Sequence, residues 1–373
     1  MKQEIIALTK KLISFPTVAP EGNEYLMASY LKELMEKAGL KTEIKFKDPK
    51  RTNVIGAYGE GKPTLIIGCH MDVVAPGEGW QTDPFKAVVK GGKIIGRGAI
   101  DDKGPFVVAY LAVRQFIKTF PKFKGKIILV AFADEETDNV YGIKYLVKKR
   151  ILKEGWALIP DGGYFHQLDF GEKGVVQMVV ESYGKQKHSA LALSPQNAIF
   201  NLSCLINKIY NLNWPNNFHP LFSPVQVNVS KFHGGEIPNV VCPFAFAQLD
   251  IRFPLGLSSL EIVKEIKKLI SQTEGKFKLK IIYTTEPHLV KEKKLINLFC
   301  QAAKNLKIKV TPVTLAGNTV AKEFNQAGIP AIAHYPEEKI SAHEPNESIK
   351  ISSMIKSINL YFEFLKMFFS CRR

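Results

Sequence analysis

Apolar and polar positions follow two periods along this chain, and the change of period divides it. Near residues 23–38, Leu26, Tyr30, Leu31, Leu34 and Met35 recur at helical spacing, and Gly39 stands where a helix cap belongs. Residues 64–67 and 126–133 are unbroken apolar runs, as expected of strands covered on both faces of a parallel sheet. Between them, residues 105–120 read as a helix with Pro105 in its first turn, and residues 139–150 read as another. Strands alternating with helices predict a layered α/β fold.

After about residue 174 the pattern shifts. Residues 175–183, 224–232, 243–253 and 277–284 read as strands. One helix is expected from Ser194–Pro195 to about Leu212. A second opens at the capping box Ser258-x-x-Glu261 and runs to about Thr273. The order β-α-β-β-α-β is that of a ferredoxin-like split domain. Helix–strand alternation resumes near Glu292. The expected organisation is an α/β domain in two parts, 1–174 and 291–373, interrupted by a smaller α+β insertion at 175–290.

Charge complicates this picture. Lys+Arg number 51 against Asp+Glu 35, a formal net charge of +16. Such basicity raises nucleic acid as a partner. Arginine, however, is confined to Arg51, Arg97, Arg114, Arg150, Arg252, Arg372 and Arg373, and the lysines are dispersed. Nucleic-acid readers rely on arginine forks, so no nucleic-acid partner is expected. The scattered cysteines form no C-x-x-C pair, so neither a disulfide framework nor a thiolate metal site is expected. The charged amphipathic N-terminus is no signal peptide and no apolar run reaches membrane-spanning length, so a cytoplasmic protein with no membrane contact is expected.

The chemistry concentrates where apolar segments end. His70-x-Asp72 follows one such run, and a continued extended backbone turns both side chains to one face, with Cys69 pointing away as a small buried hydrophobe. Asp101 and Asp102 sit together in a glycine-flanked turn before a helix. Asp134-Glu135-Glu136 ends the most apolar strand, and three crowded acids repel one another unless a cation lies nearby. Asp161 follows Ile159-Pro160, and His343 lies in a turn before the last helix. Each has an ordinary reading: a surface pair, a helix N-terminus, a solvated strand exit, a turn residue, a loop histidine. Together they describe one edge of a sheet, where open α/β folds bind ligands. Imidazole and carboxylate donors without thiolates suit zinc, manganese or cobalt.

Gly68-Cys69-His70-Met71-Asp72-Val73-Val74, residues 79–85 and Gly96-Arg97-Gly98-Ala99-Ile100-Asp101-Asp102-Lys103-Gly104 closely resemble metallopeptidase family 20. That family includes acetylornithine deacetylase, succinyl-diaminopimelate desuccinylase, aminoacylase, carboxypeptidase G-type enzymes and bacterial dipeptidases. The likeness continues through Asp134-Glu135-Glu136-Thr137, residues 171–174, His188-Ser189, Asn239-Val240-Val241, residues 250–253, Gly328-Ile329-Pro330 and Ala342-His343-Glu344. It implies a zinc-peptidase-like catalytic domain with an inserted dimerisation or lid domain. It implies two divalent ions, zinc with cobalt or manganese as substitutes, bridged by Asp101. His70 and Asp161 would complete one site, and Glu136 and His343 the other. Asp72 would hold His70, Glu135 would be the general base, and the Asp101–Asp102 peptide would be cis.

By the same likeness His188 would stabilise the oxyanion, in its own or a partner subunit of a homodimer. Asn239, Arg252, Gly317, Thr319 and Lys322 would bind substrate. One stretch departs from the family pattern: Gly317-Asn318-Thr319-Val320-Ala321-Lys322 replaces Gly-Thr-Ser-Asp-x-Arg, with Val for the acid and Lys for the arginine. Lysine offers no fork, so carboxylate recognition there would be looser. With Asp rather than Glu at 161, this favours a dipeptide or short-peptide substrate over an N-acyl amino acid such as that of succinyl-diaminopimelate desuccinylase or acetylornithine deacetylase.

Overall fold

A computed structural model describes residues 1–192, 196–215, 218–339 and 341–370. The chain forms two compact units. One comprises residues 1–170, 290–313 and 318–373, the other residues 171–289 and 314–317.

The first unit is built on a mixed sheet. In spatial order its strands are Lys41–Asp48, Arg51–Glu60, Gly125–Phe132, Thr64–His70, Trp156–Ile159, Ala331–Ala333 and the strand beginning at Gln167. Gly125–Phe132, Thr64–His70, Trp156–Ile159 and Ala331–Ala333 run parallel, and the flanking strands antiparallel. Period two sorts their side chains. Leu65, Ile67, Cys69, Ile127, Leu129 and Ala131 pack into one core with the helices Lys103–Thr119, Lys293–Asn305 and Ile351–Phe368. Ile66, Ile128, Val130 and Phe132 join a second core with the short helices Ile143–Lys148 and Ala321–Gln326. Both faces are therefore covered, which is why these strands read as unbroken apolar runs.

The second unit is a four-stranded antiparallel sheet in the order Gln226–Gly234, Phe244–Phe253, Gly174–Tyr183, Lys276–Thr285. With the helices Ala198–Tyr210 and Ser259–Ser271 this is the ferredoxin-like arrangement. Ala245, Ala247, Leu249, Ile251 and Phe253 alternate inward against both helices. Ser258 and Glu261 form the expected capping box. Asn197 caps the other helix, accepting from Ile199 N at 3.0 Å and Phe200 N at 3.2 Å. The start expected at Ser194–Pro195 lies outside the described residues.

One helix is shorter than its apolar spacing suggests. Only Ile143–Lys148 of residues 139–150 is helical. The residues before it fold back on Asp134 instead: Asn139 N donates to its carbonyl at 2.8 Å and Tyr141 N to its carboxylate at 3.0 Å. The hairpin Lys41–Asp48 with Arg51–Glu60 supplies an edge of the sheet and was not expected, although its inner strand carries the short apolar run Val54-Ile55-Gly56-Ala57-Tyr58.

Candidate metal centre

The carboxyl ends of the parallel strands carry the chemistry. His70 closes the strand Thr64–His70, the acidic triplet follows Gly125–Phe132, and Asp161 follows Trp156–Ile159. Asp101 lies in the turn before Lys103–Thr119, and its peptide with Asp102 is cis. His343 lies in the turn before the last helix with φ 66, in the left-handed region.

These segments converge within the first unit. Ligand atoms of His70, Asp101 and Glu136 all lie within 4.8 Å of one another. His70 Nε2 is 2.8 Å from Asp101 Oδ1, and His343 Nε2 is 3.2 Å from both Asp101 Oδ2 and Glu136 Oε2. Asp101 thus stands between the two imidazoles. His343 leaves 56% of its side chain exposed, so it forms the open side of the cluster.

Electrostatics follow from this crowding. Burial, then the Asp101 charge, pushes Asp161 up to about 7. Burial likewise raises Glu135 well above the carboxylate range, with His70 opposing and Asp161 and Glu136 adding. Burial raises Glu136 against the pull of His343. Burial disfavours the charged form of Asp101 too, yet hydrogen bonds from His343 and His70 hold it below the usual range. Hydrogen bonds to Asp101 and Glu136 lift His343 to about 10.

This donor set fits divalent cations. Glu136 Oε1 is buried with no hydrogen-bond partner. His70 Nδ1 lies 2.9 Å from the Asp72 carbonyl, to which it can only donate. That orients the ring and turns Nε2 toward the acids, where it hydrogen-bonds Asp101 and would offer its lone pair to a cation in place of that proton, the usual arrangement of a metal-binding histidine.

Asp72 works differently from the sequence expectation. Its carboxylate is 3.7 Å from the His70 ring, which it holds through its backbone oxygen. The carboxylate instead accepts the backbone N–H groups of Glu135 at 3.0 Å and Glu136 at 2.9 Å. Arg51, unremarked in the sequence, stands behind it, with Nη2 3.8 Å from Asp72 and 3.2 Å from Asp134 and Nε 3.1 Å from both Glu24 oxygens. Asp134 itself has φ 70, a left-handed conformation that these bonds and Thr137 secure. Asp169, also unremarked, accepts Gly163 N at 2.6 Å and shapes the turn after Asp161. Scarcity of arginine was the available signal for Arg51; nothing singled out Asp169.

The remaining candidates are dispersed. In the second unit, His188 and Asn239 are neighbours: Ser189 N donates to the Asn239 carbonyl at 2.9 Å. His188 Nδ1 accepts from Ala190 N at 3.2 Å, which leaves the proton on Nε2. Arg252 forks onto Asp250 of its own strand, Nε at 2.6 Å and Nη2 at 3.1 Å. Gly317 belongs to the second unit, whereas Thr319 and Lys322 are buried residues of the first. Lys322 donates to Asn318.

Comparison with known proteins gives a consistent picture. Peptidase family M20/M25/M40 matches residues 66–367. Succinyl-diaminopimelate desuccinylase of Buchnera aphidicola (subspecies Acyrthosiphon pisum, strain APS) is 27% identical over 380 residues, covering 98% of this chain and 99% of that protein. Among solved structures, a tripeptidase from Staphylococcus aureus superposes with a TM-score of 0.81 at 20% identity, covering 99% of each chain. An M20 family metallo-carboxypeptidase from Sulfolobus solfataricus gives 0.80 at 22% identity, over 99% of this chain and 100% of that one. At these identities the two structures establish the fold: a zinc-peptidase-like α/β domain with a ferredoxin-like insertion.

Proposed function

The chain belongs to peptidase family M20/M25/M40 and is a metallohydrolase, and on that premise we propose that it cleaves the amide bond of a dipeptide or short peptide at the cluster of the first unit. The observation that carries this reading is Glu135, held by its backbone on Asp72 and close enough to His70, Glu136 and Asp101 to interact with their charges. His70, Asp101 and Asp161 would hold one divalent ion, and Asp101, Glu136 and His343 a second, zinc in the first place. Bound there, such ions polarise the scissile carbonyl and make water a competent nucleophile near neutral pH.

Glu135 removes a proton from the attacking water and returns it to the leaving amine. Burial beside other acids raises its pKa, which favours its holding the proton that the leaving amine takes up. Asp72 keeps Glu135 and Glu136 in register through their backbone N–H groups. His188, of this chain or of a partner subunit, would donate from Nε2 to the oxyanion, and Asn239 would hold the substrate, as the family likeness implies.

Substrate choice rests on the basic residues. A succinyl substrate adds a terminal carboxylate and calls for a cation to meet it. Arg252 already forks onto Asp250, and Lys322 is buried beside Asn318. A short peptide demands less of either. The second reading, an N-acyl-amino-acid deacylase, is favoured by the desuccinylase relative matched along its whole length. A panel on the metal-reconstituted protein separates them. Dipeptides and tripeptides should release free amine faster than N-succinyl and N-acetyl amino acids; turnover of the acyl compounds alone would replace the first reading with the second.

We further propose a homodimer formed through the second unit, with a light-scattering mass of twice the chain as the expected result. Free thiols at Cys69, Cys204, Cys242 and Cys300 suit a reducing compartment, and the cytoplasm is the proposed location. Among the described residues no helix is long and apolar enough to cross a membrane.

A further inference from the structure

The hydrolytic reading leaves one buried ion pair without a task. Arg97 lies between two glycines just before Asp101, and Glu347 lies just after the His343 turn. Their side chains are 1% and 0% exposed, and Arg97 Nη1 donates to Glu347 Oε2 at 2.5 Å. Glu347 Oε1 accepts the backbone N–H of Ile100 at 2.9 Å and of Asp101 at 3.2 Å. Arg97 Nη2 donates to the carbonyls of Pro76 at 3.2 Å and His343 at 3.3 Å. Trp80 covers the guanidinium, its ring centroid 5.2 Å away.

The two ends of the pair therefore hold two different loops. Glu347 grips the peptide of Asp101, and Arg97 grips the carbonyl of His343, a residue in a left-handed conformation. A buried ion pair is in itself weak evidence for stability, because apolar residues of equal volume often serve as well. An apolar pair could not bind these backbone groups.

We propose that Arg97 and Glu347 are a positioning pair that sets the separation of Asp101 and His343, and through it the affinity for the divalent ion those two residues share. This rests on the two-ion reading above. Partners behind metal ligands typically change affinity by about 10- to 100-fold when removed. Arg97→Lys keeps the charge opposite Glu347 but loses the second nitrogen that reaches His343. Glu347→Gln keeps the shape and loses the charge.

The test is a cobalt(II) titration of the chelated full-length chain, followed by calorimetry and visible absorption, with circular dichroism as a folding check. The wild type should bind two ions. In Arg97→Lys, which loosens His343, one of the two ions should lose about 10- to 100-fold in affinity, and in Glu347→Gln, which loosens the shared ligand Asp101, at least one should lose as much. Two ions on the wild type with unaltered affinities in the folded variants overturns this proposal alone. Failure of both variants to fold assigns the pair to stability and also overturns it. Fewer than two ions on the wild type overturns the two-ion reading and the proposal with it.

Discussion

The two buried arginines of the first unit work differently from the arginine of the second. In the first, Arg51 and Arg97 are buried and reach backbone or carboxylate groups of several loops. In the second, Arg252 is partly exposed and spends its fork on Asp250, two residues away on the same strand. The same contrast separates the candidate residues. Glu135, Glu136 and Asp101 have their backbone N–H groups held by buried carboxylates, whereas His188 and Asn239 sit exposed in loops with local partners. The metal-ligand candidates of the first unit are thus held by buried partners, and the candidates of the second unit by local ones. Rigid support is what a metal centre needs, since geometry sets both affinity and water activation.

Substitutions can break that contrast, beginning with the largest expected effect. Glu135→Gln should lower kcat by about 10²- to 10⁴-fold, the usual contribution of a general base. Metal analysis should find its ion content unchanged, so lost metal with lost turnover would make Glu135 a ligand instead. His188→Ala should lower kcat by about 10²- to 10³-fold if its Nε2 faces the oxyanion. A change in KM alone would confine it to substrate binding. Asp72→Asn should lower kcat by about 10- to 100-fold, because an amide nitrogen would oppose the N–H groups of Glu135 and Glu136. Steady-state kinetics with a chosen dipeptide reads all three.

A pH experiment sharpens the same comparison from the stability side. His334 is fully buried in the first unit, with Nε2 donating to the Phe165 carbonyl at 2.9 Å. Burial lowers its pKa from 6.5 to about 4. The unfolded chain therefore takes up the proton first as pH falls. Its contribution is complete above about 6.5, is lost on the way down to about 4, and changes no further below. The shift corresponds to about 3 kcal/mol. Urea unfolding of wild type and His334→Gln across this window should show the extra slope only in the wild type; equal slopes would refute it. Smallest of all, Arg252→Ala should change kcat/KM by no more than about fivefold, since a partly exposed ion pair contributes about 1 kcal/mol or less. A fall of a hundredfold would make Arg252 a substrate clamp after all.

The layered fold was legible because strands buried on both faces leave unbroken apolar runs. The inserted domain was legible because its inward positions alternate and Ser258 and Glu261 mark a helix start. The hairpin at residues 41–60 was not, because its outer strand, Lys41–Asp48, has no buried position and pairs only along one edge, with Arg51–Glu60. The helix expected at 139–150 was overstated, because hydrogen bonding to Asp134 takes the first residues of that segment. At the site, residue type and position relative to strand ends brought His70, Asp101, Glu136 and His343 onto one page, and the structure brings them within reach of one another. Their supports were hidden. Glu24, Arg51 and Glu347 lie far along the chain from the residues they hold, Asp169 lies six residues from Gly163, and no periodicity links any of them to its partner.

The most direct measurement is amide hydrolysis by the chain before and after chelation, with metal content determined on the same samples. The expected result is two divalent ions per chain, loss of dipeptide hydrolysis on their removal, and recovery when zinc, cobalt or manganese is restored. Hydrolysis that survives complete removal of metal would contradict it.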